Sequence, residues 1–149
     1  MYSDEYFMKK ALILAEKAYN EDEIPVGAII VKNNEIIAEA YNKKDTTKIV
    51  SKHAEMIAIE EANLREKDWR LYDTTIYVTM EPCPMCAGAI QQSRIKRLVY
   101  GCSSNVKENS KIIKKILQSD QYNHQVDIKE GVLKKESSKL LKEFFKNKR

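Results

Sequence analysis

Two short segments hold the residues that could do chemistry: His53-Ala54-Glu55 and, further along the chain, Pro82-Cys83-Pro84-Met85-Cys86. The first offers an imidazole and a carboxylate. The second offers two thiolates spaced so that both can grip one ion. Together His53, Cys83 and Cys86 make three ligands for zinc and leave a fourth tetrahedral position for water, the arrangement of a catalytic rather than a structural site. Glu55 is then the spare proton carrier that activation of that water needs.

Each residue alone has a plainer reading. A C-x-x-C pair serves redox chemistry or half of a structural zinc site, a lone histidine is usually a satisfied side chain, and Glu55 suits the first turn of any helix. The chain has only three cysteines and two histidines, however, and three of these five fall into one pattern in order. The remaining two, Cys102 and His124, each lack the adjacent second ligand of a zinc ribbon or finger.

The elements that must position these groups follow from pattern. Ser3 is a helix N-cap, and Phe7, Ala11, Leu14, Ala15 and Ala18 make one apolar stripe to about Asn20. Val26 to Val31 and Ile36 to Tyr41 form a hairpin across Asn33-Asn34. Ala54 to about Arg65 reads as a helix with His53 and Glu55 at its start. Thr75 to Thr79 reads as a strand running into Glu81-Pro82-Cys83, with Pro84 in the first turn of the next helix. Arg97 to Tyr100, Ile112 to Leu117, Val126 to Ile128 and Lys134 to Phe145 then read as strand, helix, strand and helix. The order α-β-β-α-β-α-β-α-β-α predicts an α/β chain, a three-layer α/β/α sandwich on a five-stranded mixed sheet. Both ligand segments begin helices, where such folds gather their sites.

A chain of 149 residues, 43% hydrophobic and 32% charged, suits one soluble domain over residues 1–149. It has no apolar run approaching the roughly 20 residues that span a bilayer. The acidic start Met1-Tyr2-Ser3-Asp4-Glu5 is not that of a secretory signal, and the odd cysteine count points to reduced thiols in a cytoplasm. Net charge is +4, and Lys134 to Arg149 alone carries seven basic and two acidic residues. That basicity is either a solvated helix face or a surface that tracks phosphates.

Zinc with two thiolates and an imidazole already has its charge cancelled, so Glu55 must take the proton of an attacking water and return it to the substrate. Hydrolytic deamination of an aminopurine or aminopyrimidine fits, whereas the H-E-x-x-H of zinc peptidases is missing. His53-Ala54-Glu55 and Pro82-Cys83-Pro84-Met85-Cys86 are the shared signature of cytidine-deaminase-like enzymes. With Pro25-Val26-Gly27-Ala28, Tyr41-Asn42, the run Tyr77 to Ile90, Ser93-Arg94-Ile95, Val99-Tyr100-Gly101, Asn123-His124 and Phe144-Phe145, the chain resembles the bacterial tRNA-specific adenosine deaminases along almost its whole length.

The resemblance implies a cytidine-deaminase-like fold and a homodimer with one zinc per subunit, converting adenosine to inosine at the wobble position of a tRNA anticodon. It places His53, Cys83 and Cys86 on the metal and Glu55 on the protons. Asn42, Val26 and Ala54 fall on the substrate base, and Phe144, Phe145, Lys146, Lys148 and Arg149 on the anticodon loop. Leu140–Phe144 and Leu141–Phe145 are also (i, i+4) pairs that could face a core. Met85, Ala89 and Ile90 could serve a dimer interface or a core. Two segments, Ile49 to Lys52 and Cys102 to Ser110, differ from the family's usual Asp-Pro-Thr-Ala and its acidic, glycine-containing loop. Both are expected to border the substrate, so a deaminase of a free base, nucleoside or nucleotide (guanine, cytosine or deoxycytidylate) is the alternative. A basic C-terminal helix favours RNA.

Overall fold

The apolar run after Pro25 builds the sheet's inner strand. In the computed structural model, which describes residues 1–148, β1 (Gly27–Lys32) pairs antiparallel with β2 (Glu35–Tyr41) and, on its other edge, with β3 (Thr74–Met80). The hairpin turns on Asn33 and Asn34, both at positive φ, the two-residue geometry that Asn-Asn signals. From β3 the sheet continues in parallel through β4 (Arg97–Cys102) to β5 (Asp127–Lys129), giving the order β2-β1-β3-β4-β5. The five-stranded mixed sheet expected from sequence is present. β4 runs two residues beyond Tyr100, because Met80 pairs with Cys102 and the Glu81 N–H donates to the Cys102 carbonyl.

Helices cover both faces. Helix α1 (Asp4–Asn20) is capped by Ser3, whose Oγ accepts from the Tyr6 N–H at 3.1 Å, and it buries the predicted stripe together with Met8. It can lie close on β1 because Gly27 has no Cβ: one built there would come within 2.1 Å of the Ala11 carbonyl oxygen. On this face Phe7, Leu14, Ile29, Tyr77 and Val99 share one apolar cluster, and α6 (Lys134–Asn147) lies beside α1. The opposite face carries α3 (Ala54–Glu66), α4 (Pro84–Gln92) and α5 (Asn109–Gln118), packed over Ala28, Ile30, Ile76, Val78 and Leu98. The central strands therefore read as nearly unbroken buried runs rather than alternating ones.

One element was not expected. A single helical turn, α2 (Lys44–Thr47), stands between β2 and α3 and buries nothing. Four polar residues carry no apolar periodicity to announce such a turn.

Asp4 ties α1 to three strands. Its carboxylate accepts from Arg97 Nη1 at 2.9 Å and from Nη2, from Lys129 Nζ at 2.8 Å and from the Tyr77 hydroxyl at 2.7 Å. The Arg97 guanidinium first, with Lys129 and Tyr77, holds its pKa well below the usual carboxylate range. A carboxyl depressed in the folded state stabilises above its unfolded pKa of about 3.9 and loses that contribution as pH falls below it. Asp4→Asn is accordingly expected to lower stability at pH 7 by about 1–2 kcal/mol, with a smaller deficit near pH 3. Thermal unfolding of both proteins at the two pH values measures this. An equal difference at both would show that the charge contributes nothing.

Candidate metal centre and substrate cavity

Helix α3 runs back along the sheet to the start of β3, so its N-terminus lies at the strand's C-terminal end, where α4 begins. His53 is the N-cap of α3 and Cys83 the N-cap of α4, with Pro84 in the first turn. Neither side chain caps its own helix, which leaves both free to face each other. Cys86, one turn into α4, is fully buried beside them. His53 Nδ1 lies 3.6 Å from Cys83 Sγ and 3.5 Å from Cys86 Sγ, and the three ligand atoms fall within 4.8 Å of one another. Tetrahedral zinc with bonds of about 2.0–2.1 Å to nitrogen and 2.3 Å to sulfur requires an N···S separation of about 3.6 Å. The donor set and its spacing fit zinc.

The protonation of the trio points the same way. The Cys86 thiol donates to Cys83, and with His53 this draws the Cys83 pKa down to about 4. The same bond, reinforced by burial, pushes Cys86 up, so the pair holds one negative charge and one proton that a dication would displace. The bond to Cys83 raises His53. Two helix N-termini aimed at the cluster favour its thiolate charge.

Glu55 stands in the first turn of α3, 4% exposed and outside the three-ligand cluster. Burial, with the Cys83 charge adding to it, pushes its carboxyl up to about 7. A carboxyl poised there both accepts and returns protons near neutrality.

Val26, Asn42, Ala54, His53, Glu55 and Cys83 line one cavity of about 220 Å³, below the roughly 300–1,000 Å³ of drug-sized sites and suited to a single ring system. Asn42 is 5% exposed, its Nδ2 donating to the Ile24 carbonyl at 3.3 Å. Thus His53, Glu55, Val26, Asn42 and Ala54, singled out from sequence, line one cavity with Cys83, and Cys86 completes the cluster beside it. Lys44 also reaches this cavity, unforeseen because α2 was unforeseen.

A second residue missed in the sequence is Glu81. It is buried, and it accepts from Asn109 Nδ2 at 2.7 Å, from the Tyr100 hydroxyl at 3.1 Å, from the Ser104 N–H at 3.4 Å and from the Ser110 hydroxyl. Burial raises its pKa, but the bonds from Ser110, Asn109, Tyr100 and Ser104 outweigh it and leave the carboxylate below its ordinary value. Asn109 also donates to the Pro82 carbonyl at 3.1 Å. The loop bearing Cys83 is thereby locked to the segment 103–110 that walls the cavity. The only sequence cue was an acid following a β-branched strand straight into the interior.

Helix α6 crosses this end of the sheet. The Cys102 N–H donates to Ser137 Oγ at 3.0 Å, and Phe144 stacks edge-on against Tyr19 of α1 at 5.7 Å. Between α6 and the segment 103–106 lies a groove of about 810 Å³, lined by Phe145, Lys142, Lys146 and Lys148, which shares Ile24, Met80, Ser104 and Val106 with the smaller cavity. Within the expected RNA-contact set the structure separates the two neighbouring aromatics. Phe144 is 6% exposed and belongs to the core, because the helix phase that places Ser137 on Cys102 also turns Phe144 toward Tyr19. Phe145, 43% exposed, takes the groove side. Lys148 is ion-paired with Asp22, and Arg149 lies outside the described residues. On α4, Ile90 is fully buried and serves the core, whereas Met85 and Ala89 stay partly open.

A three-layer α/β/α domain with His-x-Glu and Pro-Cys-x-x-Cys on adjoining helix N-termini is a zinc-binding nucleobase deaminase domain. Residues 1–102 match the family described as the cytidine and deoxycytidylate deaminase zinc-binding region. The tRNA-specific adenosine deaminase of Bacillus subtilis is 42% identical over 98% of this chain and 91% of its own length. That of Buchnera aphidicola subsp. Schizaphis graminum is 43% identical over 98% of this chain and 96% of its own length. A solved structure from studies of A-to-I editing by tRNA:A34 deaminases at the wobble position of transfer RNA superposes with a TM-score of 0.83. It is 34% identical and covers 91% of this chain and 99% of that one. The chain belongs to the tRNA-specific adenosine deaminase family.

Proposed function

We propose that the chain is a zinc-dependent hydrolase that converts adenosine to inosine at the wobble position of a tRNA anticodon. The observation that carries the reading is the placement of Glu55 beside the His53, Cys83 and Cys86 cluster, in the lining of a one-base cavity that shares four residues with the basic groove of α6.

In this reading His53, Cys83 and Cys86 hold one zinc per subunit, which when bound polarises a water and stabilises negative charge developing on it. Glu55 takes that water's first proton and passes it to the purine ring nitrogen as the C6–O bond forms. It then takes the second proton from the added hydroxyl and delivers it to the amine, which leaves as ammonia when the C6–N bond breaks. Asn42 orients the nucleotide, while Val26 and Ala54 set the walls against the base. Met80 and Pro84 also line the cavity. A stacked base cannot enter so small a cavity, so the target must be splayed out, as anticodon-loop bases can be at low unstacking cost. Phe145, Lys142, Lys146 and Lys148 then meet the flanking nucleotides, as would Arg149 at the end of the chain.

Purified protein incubated with total tRNA is expected to generate inosine, with free guanine, cytosine and nucleosides left unchanged in parallel reactions. Brisk turnover of a free base with tRNA adenosine intact would overturn the assignment. Lys146→Gln/Lys148→Gln is expected to weaken tRNA binding and flatten its salt dependence, by up to about 1 in the log–log slope for each phosphate that is no longer neutralised. Zinc content should not move. An unchanged salt slope would return these lysines to the role of a solvated face.

We further propose that the 149 residues act as one domain in a cytoplasmic homodimer, with the partly open Met85 and Ala89 of α4 at the interface. Among the described residues no helix is long and apolar enough to cross a membrane. A light-scattering mass near the 17.3 kDa of one chain at micromolar concentration would sink the dimer.

A further inference from the structure

The connection from β2 to α3 closes on itself: the Lys43 N–H donates to the Lys52 carbonyl at 2.9 Å, so the chain leaves the body and returns at one point. Nothing apolar anchors what lies between, since α2 buries no residue and Ile49 and Val50 at its far side are exposed. Yet this segment supplies a wall of the reaction cavity, because Lys44 lies there with His53 and Glu55, next to Asn42.

A single buried carboxylate fastens it. Glu23 is fully buried, and its two oxygens accept from the Asp45 N–H at 3.0 Å and the Thr46 N–H at 2.5 Å, the free amides at the start of α2. Burial alone would raise this carboxyl, but the hydrogen bonds from Thr46 and Asp45 outweigh it and keep the group charged. The next residue extends the clamp. The Ile24 carbonyl accepts from Asn42 Nδ2, and Asn42 Oδ1 in turn accepts from the Lys44 N–H at 3.4 Å. Glu23 and Ile24, consecutive in the chain, thus hold the segment at adjacent points: Glu23 by the amides of Asp45 and Thr46, and Ile24 through Asn42, whose side chain in turn holds the Lys44 N–H. Asn42 and Lys44 both line the cavity.

We infer that Glu23 is a positioning residue for substrate: by pinning the start of α2 it fixes Asn42 and Lys44 where the nucleotide enters, without touching it. Glu55 and the metal ligands ride on α3 and α4, which Glu23 does not hold. Loss of Glu23 therefore acts on substrate binding and leaves proton transfer and zinc alone. A carboxylate serving only fold stability would move the melting temperature and nothing else.

The inference rests on the deaminase reading for its substrate, and the experiment separates the two. Wild type, Glu23→Gln and Asp45→Pro are compared on a synthetic anticodon stem-loop RNA with adenosine at the wobble position, and by amide hydrogen exchange of residues 43–52 without RNA. Glu23→Gln keeps the shape but aims an amide donor at backbone donors. It is expected to raise KM about tenfold or more, as the loss of a hydrogen bond to a charged group does, with kcat within about twofold. The amides of Asp45 and Thr46 should exchange faster, and zinc content should hold. Asp45→Pro deletes one of the two donors that Glu23 accepts from, so it should shift KM the same way by less. Melting temperatures that fall while KM and exchange stay at wild-type values would overturn the inference. If Glu23→Gln fails to fold, Asp45→Pro decides by the same two readouts. If the wild type leaves the RNA untouched, the deaminase reading fails, and unchanged exchange in the variants would then overturn the role of Glu23 on its own.

Discussion

Glu55→Gln is expected to keep its zinc and its fold and to lose most of its turnover. Positioned general acid–base groups contribute about 10²–10⁴ in rate, and Glu55 serves more than one proton transfer per cycle, so a loss at the upper end is expected. The amide is isosteric but cannot accept the proton of the attacking water. Stability should not suffer. Burial already pushes the carboxyl up to about 7, so a neutral side chain costs less to bury than the charge it replaces. The melting temperature should hold or rise slightly. Inosine formation under saturating tRNA, zinc per chain and thermal unfolding together test the assignment. Were the variant to lose zinc, Glu55 would be a ligand and its role as proton carrier would be wrong; were it to keep turnover, the protons would travel by another group.

The chemistry was legible in the sequence because metal binding and proton transfer admit few residue types, and because helix N-caps leave local signatures. His53, Glu55, Cys83 and Cys86 could be found from type and spacing, with Pro84 marking where α4 must begin. Ser3 and the α1 stripe, or Asn33-Asn34 and its hairpin, were legible for the same reason: each is settled by neighbours a few residues away. What stayed hidden is settled by distant partners. Helix α2 exists because Glu23, more than twenty residues upstream, accepts the amides of Asp45 and Thr46. Glu81 finds its partners at Tyr100, Ser104, Asn109 and Ser110, none of which its own surroundings predict.

The closing helix shows the limit most plainly. Its pattern allows Phe144 or Phe145 to face inward, each with a leucine one turn before it, and periodicity cannot choose between them. The choice falls to Tyr19 on α1 and to the Cys102 N–H, which donates to Ser137 Oγ and so sets the rotation of α6. Gly101 makes that approach possible, since a Cβ there would come within 2.5 Å of the Thr79 carbonyl oxygen and 2.7 Å of Ser137 Oγ. One helix phase thus decides which aromatic faces the groove. That phase is a property of the packed molecule rather than of the segment.

Cys86→Ala should strip the metal, and the loss should be visible without any substrate. Two thiolates and an imidazole fix zinc; one thiolate and an imidazole leave two positions for solvent, and affinity falls by orders of magnitude. Zinc per chain is expected to drop from about one to a small fraction of that. The fold should feel the loss. Cys86 is fully buried in α4, and a ligand held a thousandfold above its dissociation constant stabilises the folded state by about 4 kcal/mol. For a chain of this size that is about 8–16 °C in melting temperature. Treating the wild type with a chelator should produce a comparable fall, and the same chelator should do little to Cys86→Ala. Cys83→Ala should behave alike. Cys102→Ala is the internal comparison: it is equally a buried thiol, but it stands outside the cluster and hydrogen-bonds Ser137 through its backbone, so it should keep zinc and lose only the modest stability of a small cavity, about 1 kcal/mol. A Cys86→Ala protein that still carries one zinc per chain and melts with the wild type would show that the metal sits elsewhere, and the reading of His53, Cys83 and Cys86 as its ligands would fall with it.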